Sequence, residues 1–219
     1  MSRIFYIMGK SASGKDSIYR EIMRNFSFEK IVMYTTRPMR AGEQDGVQYH
    51  FTDMNRYENL EKAGKVIESR HYQTMHGLWV YYTVDDGSVV PGDGRQYLMI
   101  GTLESYEKMK ACYGSEIMVP IYIEVPDELR LTRAIAREKQ EKHPDYSEVC
   151  RRYLADENDF SEEKLLHAGI TVRFCNMDFS VCLKQITDYI RWKMTPASLD
   201  GEQQMQIRKE EQYESGIMG

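Results

Sequence analysis

The chain is short of several things. None of its 219 residues falls in an apolar run of 18 or more, so no membrane-spanning helix is expected. It has four cysteines, Cys112, Cys150, Cys175 and Cys182, scattered without a CxxC pair or a histidine spacing suited to zinc. They read as reduced thiols of a cytoplasmic protein rather than as a disulfide framework. Positive charge is not in excess: 29 Lys and Arg face 34 Asp and Glu, for a net charge of −5. Non-specific nucleic-acid binding is therefore not expected, and positive charge should be focused in a local cleft. The opening stretch MSRIFYIMG is too briefly apolar for a signal peptide, and no internal repeat is present. The length suits one domain, or one domain with an inserted lobe. Oligomeric state leaves no trace in the sequence.

What is present begins at Ile4–Ser17, IFYIMGKSASGKDS. An apolar run ends in Gly9, and Gly9-x-x-x-x-Gly14-Lys15 then opens a helix-like segment. This is the layout of a phosphate-binding loop between a strand and a helix. Glycines let backbone N–H groups converge on phosphate oxygens, the lysine reaches the β- and γ-phosphates, and the helix adds its N-terminal dipole. The hydroxyl residue that usually follows the lysine and holds Mg²⁺ is replaced by Asp16, with Ser17 one place late.

Periodicity predicts strands over Arg3–Met8, Lys30–Met33, Gln96–Gly101, Met118–Val125 and Thr171–Cys175. Helices are expected over Lys15–Asn25, Glu104–Ala111, Pro126 to about Lys142, Tyr146–Ala168 and Phe179–Lys193, with a break at His143-Pro144. Between Tyr34 and Asp86 the character changes to Tyr, Gly and Arg with alternation such as Val47–Phe51, which suits short antiparallel strands. One helix, Asp53–Gly64 with Asn55 as cap, lies within it. Alternating strands and helices imply a parallel α/β sheet with the loop at the carboxyl end of its first strand.

Two further clusters carry charge. Thr35-Thr36-Arg37-Pro38-Met39-Arg40, followed by Glu43 and Tyr49, sets two arginines three apart in a loop. It is either a bidentate anion clamp or a solvated turn. Arg130, Arg133 and Arg137 share one helix face, followed by Arg151 and Arg152. They either close over phosphates or pair with nearby Asp127, Glu128, Glu138 and Glu141.

Together these motifs resemble the guanylate kinase family over residues 3 to about 194. The segment Thr35 to Phe51 follows the family's T-T-R pattern almost place for place. Val66-Ile67-Glu68, Arg133 with Arg137, Glu148 with Arg152, and Asn176-Met177-Asp178 match later motifs in order. The resemblance implies an α/β P-loop NTPase fold with core 1–33 and 87–194. An inserted NMP-binding lobe at 34–86 and a helical lid at about 130–155 complete it, and a tail at 195–219, polar by composition, follows. It implies transfer of the γ-phosphoryl of ATP to GMP, with Mg²⁺ accompanying ATP. Gly9, Ser11, Ala12, Ser13, Gly14, Lys15, Asp16, Ser17 and Asn176 would bind ATP. Thr36, Arg37, Arg40, Tyr49, Glu68 and Tyr81 would bind the acceptor nucleotide, and Lys15, Arg133, Arg137 and Arg152 would act on the transferring group. Either Tyr81 or Tyr82 would reach the acceptor phosphate.

The chain departs from the family where the base is read. A serine that touches guanine is replaced by Met33, and two strand-end aspartates by Met99 and Gly101. Only Glu68 remains of the base-reading set. The implied readings are a guanylate kinase, a kinase for another purine monophosphate, and an inactive module that holds a nucleotide or a phosphorylated peptide through Arg37 and Arg40. Gly14, Lys15 and the lid arginines favour an enzyme, and the missing carboxylates favour the module. Asp16 is read as a Mg²⁺ ligand, as a repulsive flaw in the loop, or as a solvated bystander.

Overall fold

A computed structural model describes residues 1–40, 42–74, 77–142 and 144–195. The expected tail from 196 onward and His143 of the expected helix break lie outside the described residues.

Two sheets organise the chain. The first holds β1 (Arg3–Met8), β2 (Glu29–Lys30), β7 (Gln96–Ile100), β8 (Met118–Glu124) and β9 (Arg173–Cys175), in the order β2-β7-β1-β8-β9. Every pairing in it is parallel. Strands of such a sheet are covered on both faces and so read as continuous apolar runs. β1 obeys this: Ile4, Tyr6 and Met8 pack into one core, and Phe5 and Ile7 into another on the opposite face. The covering helices are α1 (Lys15–Asn25), α3 (Leu103–Tyr113), α6 (Glu162–His167) and α7 (Phe179–Met194), while α4 (Asp127–Glu138) and α5 (Tyr146–Asp159) pack against each other. Side chains such as Ile18 and Ile22 of α1 and Ile186 and Ile190 of α7 are fully buried. Each contributes about 1.5–3 kcal/mol over an exposed state.

The second sheet is mixed. It orders β4 (His50–Phe51), β3 (Tyr34–Thr35), β6 (Gly77–Val84) and β5 (Val66–Thr74), with α2 (Met54–Lys62) between β4 and β5 in the chain. Its own small core is Tyr34, Tyr57, Val80, Tyr82 and Val84.

Several boundaries differ from the sequence reading, each for a local reason. The expected strand Lys30–Met33 is shorter and lies earlier, at Glu29–Lys30, although Ile31 N–H still donates to Leu98 O. The alternation over Val47–Phe51 yields only β4, which runs parallel to β3, not antiparallel. Asp53, not Asn55, caps α2 by accepting from Arg56 N at 2.8 Å. α4 stops at Glu138. The expected helix Tyr146–Ala168 is two helices, because buried Phe160 turns inward onto Tyr122 and the Ser161 side chain caps α6.

Candidate functional site

The loop from Gly9 to Gly14 leaves the carboxyl end of β1, the central strand, where open α/β sheets place ligands. Gly9 is required by space: a Cβ there would sit 2.4 Å from the Ile123 carbonyl oxygen. Gly14 adopts φ 86° at the N-cap of α1, and Ala12 is the one described non-glycine residue with positive φ. Buried Asn176 braces the turn by donating from Nδ2 to Ser13 O at 2.8 Å. Asn176 thus meets the loop backbone directly.

Beside the loop lies a cavity of about 520 Å³. Ser11, Ala12, Gly14, Lys15, Asp16 and Ser17 line it from one side, and Arg133, Arg137 and Arg152 from the other. Residues separated by more than a hundred positions are therefore brought together as the sequence suggested. Burial pushes the Lys15 pKa down, and Arg137 and Arg152 push the same way, partly offset by Asp16 and Asp156. Lys15, Arg20, Arg133, Arg137 and Arg152 thus line one cavity with Asp16 as the one carboxylate among its lining residues, an arrangement suited to an anion.

The arginines of α4 and α5 divide the work. Arg130, 2% exposed, turns away from the cavity into Asp127 (2.9 Å), Asp156 (3.1 Å) and Glu157 (2.6 Å), with Tyr153 under its guanidinium. Arg133 donates to Asn176 O at 3.0 Å. Arg151 and Arg152 share Glu148, whose carboxyl they draw down to about 2, Arg151 most strongly. The same network reaches the loop: Lys10 Nζ meets Glu157 at 2.8 Å, and Ser11 N–H donates to Asp156 Oδ2 at 2.8 Å. A protein carboxylate thus sits on a loop N–H of the kind that cradles phosphate.

A second cavity, of about 400 Å³, adjoins the first through Asp16 and Arg20 and is walled by Tyr49, Gln48, Met33 and Lys30. Around Tyr49 the second sheet gathers the other expected anion ligands. Thr36 is tied to Val80 by two bonds of 2.9 Å, one through its hydroxyl, which fixes the loop that follows. Arg37 is 3% exposed and bidentate to Glu43, at 2.8 and 3.0 Å, with Nη1 also on Pro38 O. Its guanidinium lies over the Tyr49 and Phe51 rings. Glu43 above all, then Tyr81, holds its pKa up against the opposing effect of burial. Arg40 is exposed. Strand alternation separates the two tyrosines: Tyr81 packs against Tyr49 and Tyr72, while Tyr82 is buried with its hydroxyl on Thr52. Tyr81 is thus the one in contact with Tyr49, which lines the second cavity.

The positions expected to read the base are occupied differently. Glu68 is buried, with Oε1 accepting from Thr83 Oγ1 at 2.8 Å and Oε2 3.3 Å from Arg70 Nε. Gly101 is glycine for a reason: a Cβ there would lie 2.1 Å from the Tyr6 hydroxyl, which donates to Thr102 O at 3.2 Å. Gly101→Asp should therefore lower the melting temperature rather than restore a carboxylate site, by about 1–3 kcal/mol of overpacking. The loss should shrink when Tyr6 is also shortened to Leu, because the two changes share one space.

Arg20, Glu43, Arg70 and Asp156 are members of these clusters that motif matching did not single out as ligands. Spacing could have found two of them. Arg20 is four residues from Asp16 on α1, and Arg70 two from Glu68 on β5, so each pair shares a face. Nothing local marks Asp156, whose partners lie 145 and 26 residues away.

The guanylate kinase family model matches residues 1–163. A guanylate kinase of Vibrio vulnificus is 32% identical over 92 residues, which are 38% of this chain and 44% of that protein. One of Alkalilimnicola ehrlichii is 28% identical over 161 residues, 70% of this chain and 71% of that one. The match thus spans less than half the length of the first of these relatives. Among solved structures, guanylate kinase from Anaplasma phagocytophilum shares the fold with a TM-score of 0.59 at 18% identity, over 90% of this chain and 88% of that chain.

Proposed function

Because the chain belongs to the guanylate kinase family, we propose that it is an ATP-dependent nucleoside monophosphate kinase. It transfers the γ-phosphoryl of ATP to a purine monophosphate, GMP in the first place, and yields ADP and GDP. The observation that carries this reading is the cavity in which Gly14 and Lys15 face Arg133, Arg137 and Arg152. A module that only holds a ligand at Arg37 and Arg40 needs none of these five.

On this reading the segment 34–86, which contains the second sheet, is the NMP-binding lobe, and 130–155 is the lid. Loop N–H groups and Lys15 hold the ATP phosphates. Tyr49, Tyr81, Arg37 and Arg40 hold the acceptor phosphate, with Thr36 fixing their loop. Arg133, Arg137 and Arg152 meet the charge that develops on the transferring group. Catalysis is then positioning and charge stabilisation of an in-line transfer, with no covalent intermediate. Arg20, between the two cavities, is suited to bridge donor and acceptor phosphates.

Mg²⁺ fits the residues present. Mg²⁺ is commonly held by one or two carboxylates together with substrate phosphates. Asp16 is exposed beside Lys15 and lines both cavities. No cluster of three or more potential metal ligands exists among the described residues, and Asp16, the one carboxylate among the residues that line the two cavities, would hold the ion together with substrate. When bound, the ion would supply charge neutralisation at the ATP phosphates. Asp16→Ala should weaken the Mg²⁺ dependence of ATP binding in calorimetry, and added Mg²⁺ should partly restore turnover. If Asp16 only repels the triphosphate, Asp16→Ser instead tightens ATP at every Mg²⁺ concentration.

We place the protein in the cytoplasm, on its unpaired cysteines; among the described residues no helix is long and apolar enough to cross a membrane. The second reading is a non-catalytic anion-binding module. It is favoured by Asp156 on the Ser11 N–H and Glu43 on Arg37, two carboxylates at positions suited to phosphate. ADP formation from ATP with GMP, IMP and AMP as acceptors separates the two. No ADP with any of them would overturn the kinase reading.

A further inference from the structure

Glu68 and Arg70 stand two apart on β5 and share one face of the strand. Glu68 is enclosed, its side chain 2% exposed and its two oxygens occupied by Thr83 and Arg70. It does not line the cleft. Arg70 does: with Ser69, His71 and Tyr72 it forms the β5 wall of an opening of about 910 Å³ whose far side carries Glu104, Glu107, Asp159 and Glu163, and through Met33 it also touches the cavity walled by Tyr49. Arg70 is also unusually under-used. Its one hydrogen bond among the described residues runs from Nη2 to Met33 Sδ at 3.5 Å, a weak acceptor. Nε is buried without a hydrogen bond, since its 3.3 Å approach to Glu68 is not aligned for one. Burial opposes the charge of Arg70, yet Glu68 and the surrounding tyrosines keep its pKa above the usual value. A charged fork with spare donors, held in place from behind by a buried carboxylate, faces the cleft.

We propose that Arg70, positioned by Glu68, reads the base of the acceptor monophosphate through an edge that offers acceptors only: O6 and N7 of a 6-oxopurine. The proposal rests on the nucleoside monophosphate kinase reading above. A guanidinium matches O6 and N7 with two parallel N–H bonds, whereas adenine presents an amino group where O6 would be. The 2-amino group is not on that edge. GMP and IMP are therefore equivalent acceptors, and AMP is rejected. Direct reading by Glu68 predicts something else. A carboxylate facing N1–H and the 2-amino group distinguishes GMP from IMP, and it requires the enclosing side chains to open onto Glu68, whose side chain is 2% exposed.

The test is calorimetric binding of GMP, IMP and AMP to the full chain, run beside ADP formation. GMP and IMP should bind within about tenfold of each other, and Arg70→Met should weaken both by about 5- to 150-fold while sparing AMP. Arg70→Lys should recover little, because a point charge lacks the fork. Glu68→Gln should weaken GMP and IMP to the same degree, as expected of a positioning residue. A preference for GMP over IMP of more than about tenfold, or GMP binding unchanged in Arg70→Met, overturns the proposal. Ribose 5-phosphate, which has no base, guards against a different role, because Arg70 pairs across the sheet with Tyr81. If Arg70→Met weakens ribose 5-phosphate as much as GMP, Arg70 is a phosphate ligand and the base assignment falls. If GMP and IMP bind as expected but no ADP forms, the kinase reading fails and the Arg70 assignment stands.

Discussion

Lys15→Met should reduce phosphoryl transfer by about 100- to 1,000-fold, the cost of removing one preorganised donor from developing charge. The melting temperature should stay level or rise. The sign follows from linkage. The folded protein holds the Lys15 pKa below its usual 10.5, chiefly through burial. The unfolded chain therefore binds that proton more tightly, and the folded state carries a penalty. The penalty is full below the folded pKa and is relieved as pH rises toward 10.5. Methionine removes it. Steady-state rates and a thermal melt on the same sample check both halves, and a variant with normal turnover would sink the assignment of the loop.

Arg37→Ala should raise the KM for the acceptor monophosphate by about 10- to 150-fold, the cost of a charge-assisted hydrogen bond of about 1.5–3 kcal/mol. The KM for ATP should hardly move. Equal effects on both substrates would contradict the placement of this loop on the acceptor side. The variant should also lose stability, since Arg37 is buried and anchors Glu43. Hydrogen bonding to Arg37, and then to the Arg40 backbone, holds the Glu43 pKa below 4.5. That stability is present above pH 4.5 and is lost as pH falls through the folded pKa. The gap in melting temperature between wild type and Arg37→Ala should therefore narrow in acid. Arg40→Ala, at an exposed position, should shift the same KM with little change in melting.

Much of this was legible in the residues. β1 and α1 fall on their expected limits because continuous burial and helical spacing are local signals. The α/β class, the second sheet and the meeting of Lys15 with Arg133, Arg137 and Arg152 follow from order and motif. What escaped is mostly long-range or depends on what a neighbour fills. The break at Phe160 needs Tyr122, 38 residues earlier, to stack on. Gly101 reads as a lost carboxylate until Tyr6 is seen in its space. The row of Arg130, Arg133 and Arg137 reads as one face, yet three carboxylates claim Arg130 alone. Sequence spacing places side chains on a face, and only the fold says which counter-charges arrive there.

The contact between Ser11 and Asp156 bears on how fast nucleotide comes and goes. An N–H that already carries a carboxylate oxygen takes up phosphate by exchange rather than by addition. On the kinase reading, the loop has no orphan donor at Ser11. The affinity gained there is the difference between two anions, not the full strength of one. Asp156 keeps Arg130 as a partner when displaced, so the outgoing carboxylate is not stranded. Association then waits on the release of Asp156 from Ser11, and the observed rate in stopped-flow mixing should level off at high ATP. Departure is aided from within, because the same carboxylate follows the leaving phosphate back onto the loop.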